Sequence, residues 1–179
     1  MRRPPLKKSH VSVVVVMGVA GSGKSTIGRL LAEKLGWEFA DADELHSEAN
    51  CAKMNQGIAL SDEDRQPWLE AVRDLIARRV ADGRRLVVAC SALKQAYRDA
   101  IAVEPDAMVW AYLKGERDLI ARRLAGRRNH FFDPALLASQ FDTLEEPRDA
   151  IVEDIGRDPD TIAKSICARL VAHGREQWR

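Results

Sequence analysis

The run Val13-Val-Val-Val-Met-Gly-Val-Ala-Gly-Ser-Gly-Lys-Ser-Thr26 decides how the rest of the chain is read. Val13 to Met17 is continuously apolar and mostly β-branched, the pattern of a strand buried on both faces of a parallel sheet. Gly18 to Ser25 then satisfies G-x-x-x-x-G-K-[ST], and Ile27, Leu30, Leu31 and Leu35 follow at helical spacing before Gly36. Each part has a physical task. Glycines let successive backbone N–H groups turn inward as an anion nest, and the helix start adds the positive end of its dipole. The stretch Gly18, Val19, Ala20, Gly21, Ser22, Gly23, Lys24, Ser25 and Thr26 is therefore expected to cradle nucleotide phosphates. Lys24 reaches the β- and γ-phosphates, and the Ser25 hydroxyl ligates magnesium. A chance match in a chain of this size is on the order of one in a hundred. Thr26 stands where a dinucleotide fingerprint needs its third glycine, which favours a nucleoside triphosphate such as ATP over NAD.

Outward from this loop, strands alternate with helices. Trp37–Ala40, Leu86–Cys90, Met108–Leu113 and Ile151–Ile155 read as further strands. Ser61 to Asp64 has the form of a capping box, with Pro67 placed in the first turn of its helix. That helix turns Trp68, Val72, Leu75, Ile76 and Val80 inward and stops at Asp82-Gly83. Ser91 is expected to cap a helix running to about Ile101, and Glu116 to Leu124 forms another. Asp133-Pro134 and Asp158-Pro159 each open a helix, the last with Ile162, Ile166 and Leu170 on one face. The alternation predicts an α/β fold with a mainly parallel sheet. Residues 122–133, with Arg122, Arg123, Gly126, Arg127 and Arg128, read as a basic lid between two helices.

Bulk properties narrow the class. The chain has 179 residues, 46% apolar and 31% charged, with a formal charge of +1. That length fits one domain over residues 11–179, preceded by a basic tail at 1–10. The tail and the apolar run behind it imitate a secretory leader, but cleavage near Ala20 would cut the phosphate loop, and the run is too short to span a bilayer. Near-neutral charge offers nothing to nucleic acid or membrane. Cys51, Cys90 and Cys167 form no C-x-x-C pair, so a reducing cytoplasm is expected.

The acceptor must be read from elsewhere. Asp41 and Asp43 follow the second strand, where doubly wound sheets place ligand groups. They could divide the labour, one toward magnesium and one toward the attacking hydroxyl, or form a solvated acidic turn; position alone does not decide. Arg65, Lys94, Arg98, Arg123 and Arg127 bring positive charge to the strand ends, suited to an anionic acceptor and to the transferring phosphoryl group. His46 and His130 lack metal-ligand spacing and read as hydrogen-bonding or packing residues.

These residues resemble a known family. MGVAGSGKST (17–26), DADELH (41–46), the spaced motif from Asn50 to Leu69 ending DRQPWL, CSALKQAYRD (90–99), YLKGERDLIARRL (112–124) and HFF with SQFDTLEEP (130–147) are similar to the gluconate kinases of the thermoresistant type. That family lies in the nucleoside-monophosphate-kinase-like P-loop group, which also holds shikimate kinase. The resemblance implies a three-layer α/β/α domain, a five-stranded parallel sheet in the order 2-3-1-4-5, a helical lid and a homodimer. It implies ATP- and magnesium-dependent phosphorylation of D-gluconate at its terminal hydroxyl, giving 6-phospho-D-gluconate for the pentose phosphate or Entner–Doudoroff route. By the same likeness Asp41 orients magnesium and Asp43 meets the acceptor hydroxyl. Arg65 holds the acceptor carboxylate, while Arg123 and Arg127 clamp nucleotide and phosphates. Ser91 to Lys94 recognises gluconate hydroxyls with Arg98 in support. His46 and His130 are placed with the acceptor on the reading of the residues themselves, His130 foremost because it borders the lid. Ala42, Ser47, Ala59 and Asn129 depart from the family pattern without removing a charged group. Against a shikimate kinase stands the lack of a glycine-rich acceptor loop after the third strand. Against a nucleotide-operated switch stands the lack of N-K-x-D. A kinase for nucleic-acid ends would need an extended basic face.

Overall fold

The computed structural model describes residues 11–126 and 134–176. Strand β1 (Val13–Met17) lies at the centre of a five-stranded, all-parallel sheet. It is flanked by β3 (Leu86–Ala89) and β4 (Met108–Lys114), with β2 (Glu38–Asp41) and β5 (Ile151–Asp154) at the edges. The order is β2-β3-β1-β4-β5, as the family resemblance implied. Val14 faces Val87 on one side and Val109 on the other.

The period of two along β1 divides the core into two halves. Val14 and Val16 point to one face, where helices α1 (Lys24–Leu35) and α7 (Pro159–Glu176) place Ile27, Leu31, Ile162 and Ile166. Helix α5 (Arg117–Ala125) adds Ile120 and Leu124 to that face. Val13, Val15 and Met17 point to the other, where α3 (Asp62–Ala81) and α4 (Gln95–Ile101) place Trp68, Val72, Ile76, Tyr97 and Ile101. Every β1 residue is fully buried, each side chain contributing about 2 kcal/mol of transfer free energy. The three layers follow from a strand with no polar face.

Local differences from the sequence reading have local causes. Strand β2 starts one residue late because Trp37 closes α1: its N–H donates to Ala32 O at 2.9 Å while Gly36 turns at φ 66°. The Ser61–Asp64 capping box is present, but α3 begins at Asp62, so Pro67 sits in the second turn. There it cannot supply an N–H to the carbonyl of Glu63. Ser91 caps nothing. Helix α4 starts at Gln95, and Ser91 to Leu93 form a loop in which Ala92 takes φ 44°. Helix α2 (Glu48–Asn55) and two single-turn 3-10 segments, at 42–45 and 105–107, were not anticipated. Helix α6 (Pro134–Thr143) begins at the expected proline, and the basic tail lies outside the described residues. Among the described residues no helix is long and apolar enough to cross a membrane.

The parallel order sends all five carboxyl ends to one side. The chain passes from β3 over β1 to β4, making the crevice there a topological switch point.

Candidate active site

The loop that leaves β1 is shaped by its glycines. Gly18, Gly21 and Gly23 take φ of 146°, 80° and 95°, values that side-chain-bearing residues rarely adopt. Gly21 is also sterically required, because a Cβ there would lie 2.7 Å from Leu124 and 3.1 Å from Ile120 of α5. Helix α1 starts directly from Gly23, so its free amides face the loop. Lys24 Nζ donates to Val19 O at 3.1 Å, folding over the loop. Ser25 Oγ donates to Asp41 Oδ2 at 2.5 Å, and Asp41 Oδ1 accepts the Asp43 N–H at 3.1 Å. The two expected magnesium residues are thus brought together from different strand ends, hard oxygens side by side. Asp41 also caps the 3-10 turn that carries Asp43.

The loop opens into a cleft of about 700 Å³. Gly21, Lys24, Ser25 and Thr26 line it together with Asp43, His46, Arg65 and Ser91. Residues expected on the phosphate side and residues expected on the acceptor side therefore share one cavity. His46 stacks on Trp68, ring centroids 4.5 Å apart and 10° from parallel, and Trp68 Nε1 donates to Ala42 O at 2.7 Å. Burial lowers the His46 pKa; the Arg65 charge assists and the Asp43 carboxylate opposes. His46 Nδ1 is buried without a hydrogen-bond partner among the described residues. Arg65 donates to Leu60 O at 2.9 Å and lies 5.6 Å over the Tyr97 ring. Its helix is braced from α2, with Asn50 Nδ2 on Asp64 O at 2.8 Å and Lys53 Nζ on the Asp64 carboxylate at 2.7 Å. Cys90 lies fully buried at the base; burial, with the Asp43 carboxylate behind it, pushes its thiol up to about 12, so it stays protonated and inert.

Several expected ligands are placed elsewhere. Arg98 is only 3% exposed and is turned inward. Its guanidinium donates to Ala92 O at 2.9 Å, Leu93 O at 3.2 Å, Glu145 O at 2.9 Å and Gln95 Oε1 at 2.9 Å. It builds the Ser91–Leu93 loop and does not line the cleft. Lys94 pairs with Asp62 at 2.8 Å, and the Tyr97 hydroxyl donates to the same carboxylate. Lys94 thereby ties α4 to the start of α3, outside the lining. Arg123 donates to Ile155 O at 2.7 Å and also stands outside it. Arg127 and His130, with most of the expected lid, lie outside the described residues.

Two contributors had no assigned role in the sequence reading. Glu145 accepts the Gln95 N–H at 2.7 Å, capping α4 from 50 residues away, and its own N–H donates to Leu93 O at 2.9 Å. Gln140 of α6 accepts the Ala20 N–H at 2.7 Å and lines the cleft. The TLEEP and SQFD runs marked both segments as distinctive, but no local rule says where such side chains land.

Two outcomes are expected. Histidine NMR should give His46 a midpoint below 6.5, lowered further by Asp43→Asn and raised by Arg65→Ala; a parent midpoint at or above 6.5 contradicts the buried stack. In urea unfolding, Arg98→Ala should lose about 3 kcal/mol, since several buried acceptors lose a charged donor together. Unchanged stability with a raised acceptor KM would instead place Arg98 on the acceptor.

Comparison with known proteins agrees with this architecture. The shikimate kinase family profile matches residues 20–170. A probable gluconokinase of Mus musculus is 50% identical over 152 residues, covering 75% of this chain and 83% of the relative. The thermoresistant gluconokinase of Escherichia coli K12 is 41% identical over 147 residues, 80% of this chain and 84% of that one. The crystal structure of a gluconokinase from Sinorhizobium meliloti 1021 superposes with a TM-score of 0.86 at 37% identity, covering 94% and 96% of the two chains. With its P-loop, its sheet order and these relatives, the chain belongs to the gluconokinases, kinases within the shikimate kinase family.

Proposed function

We propose that the protein transfers the γ-phosphoryl group of ATP to the terminal hydroxyl of D-gluconate, giving 6-phospho-D-gluconate and ADP. One observation carries this reading: the phosphate loop and the acceptor-side residues Asp43, His46 and Arg65 line a single cleft of about 700 Å³. That size lies within the roughly 300–1,000 Å³ common for small-ligand sites.

In the proposed reaction the acceptor's terminal oxygen bonds to the γ-phosphorus as the bridge to the β-phosphate breaks, and its proton passes to Asp43. Phosphoryl transfer asks little covalent chemistry of the protein, so positioning and charge dominate. Lys24 and the phosphate loop of residues 18–26 hold the phosphates; Arg65 takes the acceptor carboxylate as a planar fork. Ser91 and neutral His46 offer hydrogen bonds to acceptor hydroxyls, and Trp68 keeps the imidazole in place. Ser25 and Asp41 fit magnesium, because a hydroxyl and a carboxylate meet beside the loop and both would serve as hard oxygen ligands. When bound, magnesium would neutralise charge on the β- and γ-oxygens. Arg127 is assigned to nucleotide and phosphoryl oxygens, His130 to the acceptor, and residues 122–133 to a lid over one kinase domain. A homodimer in the cytoplasm completes the proposal; the three free cysteines support the compartment and family resemblance the dimer.

A coupled ADP-release assay across gluconate, other aldonates, shikimate and nucleoside monophosphates tests the acceptor. Gluconate should have the highest kcat/KM, and faster turnover of shikimate or a nucleotide would refute the assignment. Lys24→Ala should cut kcat by about 100-fold or more, as loss of a donor from developing charge does elsewhere; near-normal kcat removes the loop from catalysis. Arg65→Ala should raise the KM for gluconate roughly 10- to 100-fold with little change for ATP, the scale of one charged hydrogen bond. Equal effects on both substrates would place Arg65 away from the acceptor.

A further inference from the structure

The phosphate loop is held from two sides by the helices that flank residues 126–133. From α5, Leu124 and Ile120 fill the space that a side chain at position 21 would need. From α6, Gln140 reaches the neighbouring amide: the Ala20 N–H donates to Gln140 Oε1 at 2.7 Å, across 120 residues of sequence. An N–H can be matched only by an acceptor, so this bond decides which way the side-chain amide faces. The carbonyl oxygen is committed to the Ala20 N–H, and the Nε2 amino group, on the other branch of the same planar group, is turned away from that N–H. No hydrogen-bond partner for Nε2 occurs among the described residues, while Gln140 is one of the residues that line the same cleft as Gly21, Lys24 and Asp43. Its helix is well seated. Leu137 is buried in the core, and Arg117 of α5 lies 5.1 Å over the Phe141 ring.

We infer that Gln140 has a double part in phosphotransfer: Oε1 positions the phosphate loop, and Nε2 donates a hydrogen bond to the phosphoryl oxygens in the cleft. The inference rests on the phosphotransferase reading above. Gln140 is suited to this for three reasons. A neutral amide adds a donor without the desolvation cost of another cation. Its bond to the loop holds the donor in place before charge develops, the condition under which such a donor lowers a barrier. And the same bond makes the loop's shape depend on the seat of α6, so phosphate binding and that helix are mechanically joined.

Gln140→Glu and Gln140→Leu separate the two parts. Glutamate keeps an acceptor for the Ala20 N–H but replaces the amino donor with anionic oxygen; leucine removes both. Both variants should lose roughly 10- to 100-fold in kcat for gluconate phosphorylation, glutamate at least as much as leucine, with KM for gluconate within about threefold. Their thermal midpoints should stay close to the parent's. A glutamate variant that turns over like the parent leaves Nε2 no role and overturns the inference, as does a loss of kcat that follows a lowered midpoint. Calorimetric binding of Mg-ATP, without acceptor, adds an arm that does not depend on gluconate: Gln140→Glu should bind at least tenfold more weakly than the parent, and equal affinity also overturns the inference. If the parent itself fails to phosphorylate gluconate, the acceptor assignment falls and this binding arm alone judges Gln140.

Discussion

Everything at this site depends on holding the left-handed turns of the phosphate loop at the end of one buried strand. Such turns lack the ladder bonds of ordinary secondary structure, and holding them is costly unless the surroundings enforce it. The enforcement comes from both directions. Behind the loop, β1 is fully buried and laddered on both sides, so the point at which the turn begins cannot drift. Around it, Leu124 and Ile120 press on Gly21 and Gln140 takes the Ala20 amide. The glycines permit the conformation, and the packing selects it.

The positive charges of the chain divide by surroundings more than by residue type. Arg98 is buried against carbonyls and serves as the frame of the Ser91–Leu93 loop. Lys94 and Tyr97 share Asp62, which joins the starts of α3 and α4. Arg65, by contrast, stays in the cleft lining, steadied by Leu60 O and the Tyr97 ring. A family motif rich in basic residues thus contains several braces. The braces matter because they hold the Ser91–Leu93 loop and the start of α3 in place across from the phosphate loop, and phosphoryl transfer is sensitive to small errors of position.

A second division separates the two faces of the sheet. On the α1–α7 side the core is aliphatic and continuous. On the α3–α4 side it includes Trp68 and Tyr97, whose polar atoms reach Ala42 O and Asp62. That second face therefore carries polar connections to the cleft side of the sheet, and His46 rests directly on one of its members. At the other edge of the sheet, buried Glu153 accepts from Ser165 at 2.6 Å and Arg157 at 2.9 Å, fastening β5 to α7.

From sequence alone came the central strand, the phosphate loop, the glycine stop of α1, the capping box of α3 and the strand–helix alternation. All are properties of neighbouring residues: side-chain period, cap chemistry and positive-φ glycines act within one or two turns of chain. The short turn at 42–45 and helix α2 were less legible, since neither has a strong apolar period, and Pro67 misled because a proline tolerated in a second turn looks like one in a first. Family likeness supplied the sheet order and a set of ligands, but not the orientation of each side chain. Only the tertiary structure decided that Arg98 faces inward, that Lys94 is spent on Asp62, that Glu145 caps α4 and that Gln140 meets Ala20. Those pairings span tens to more than a hundred residues, and a contact between distant segments exists only once the sheet has brought their ends to the same side.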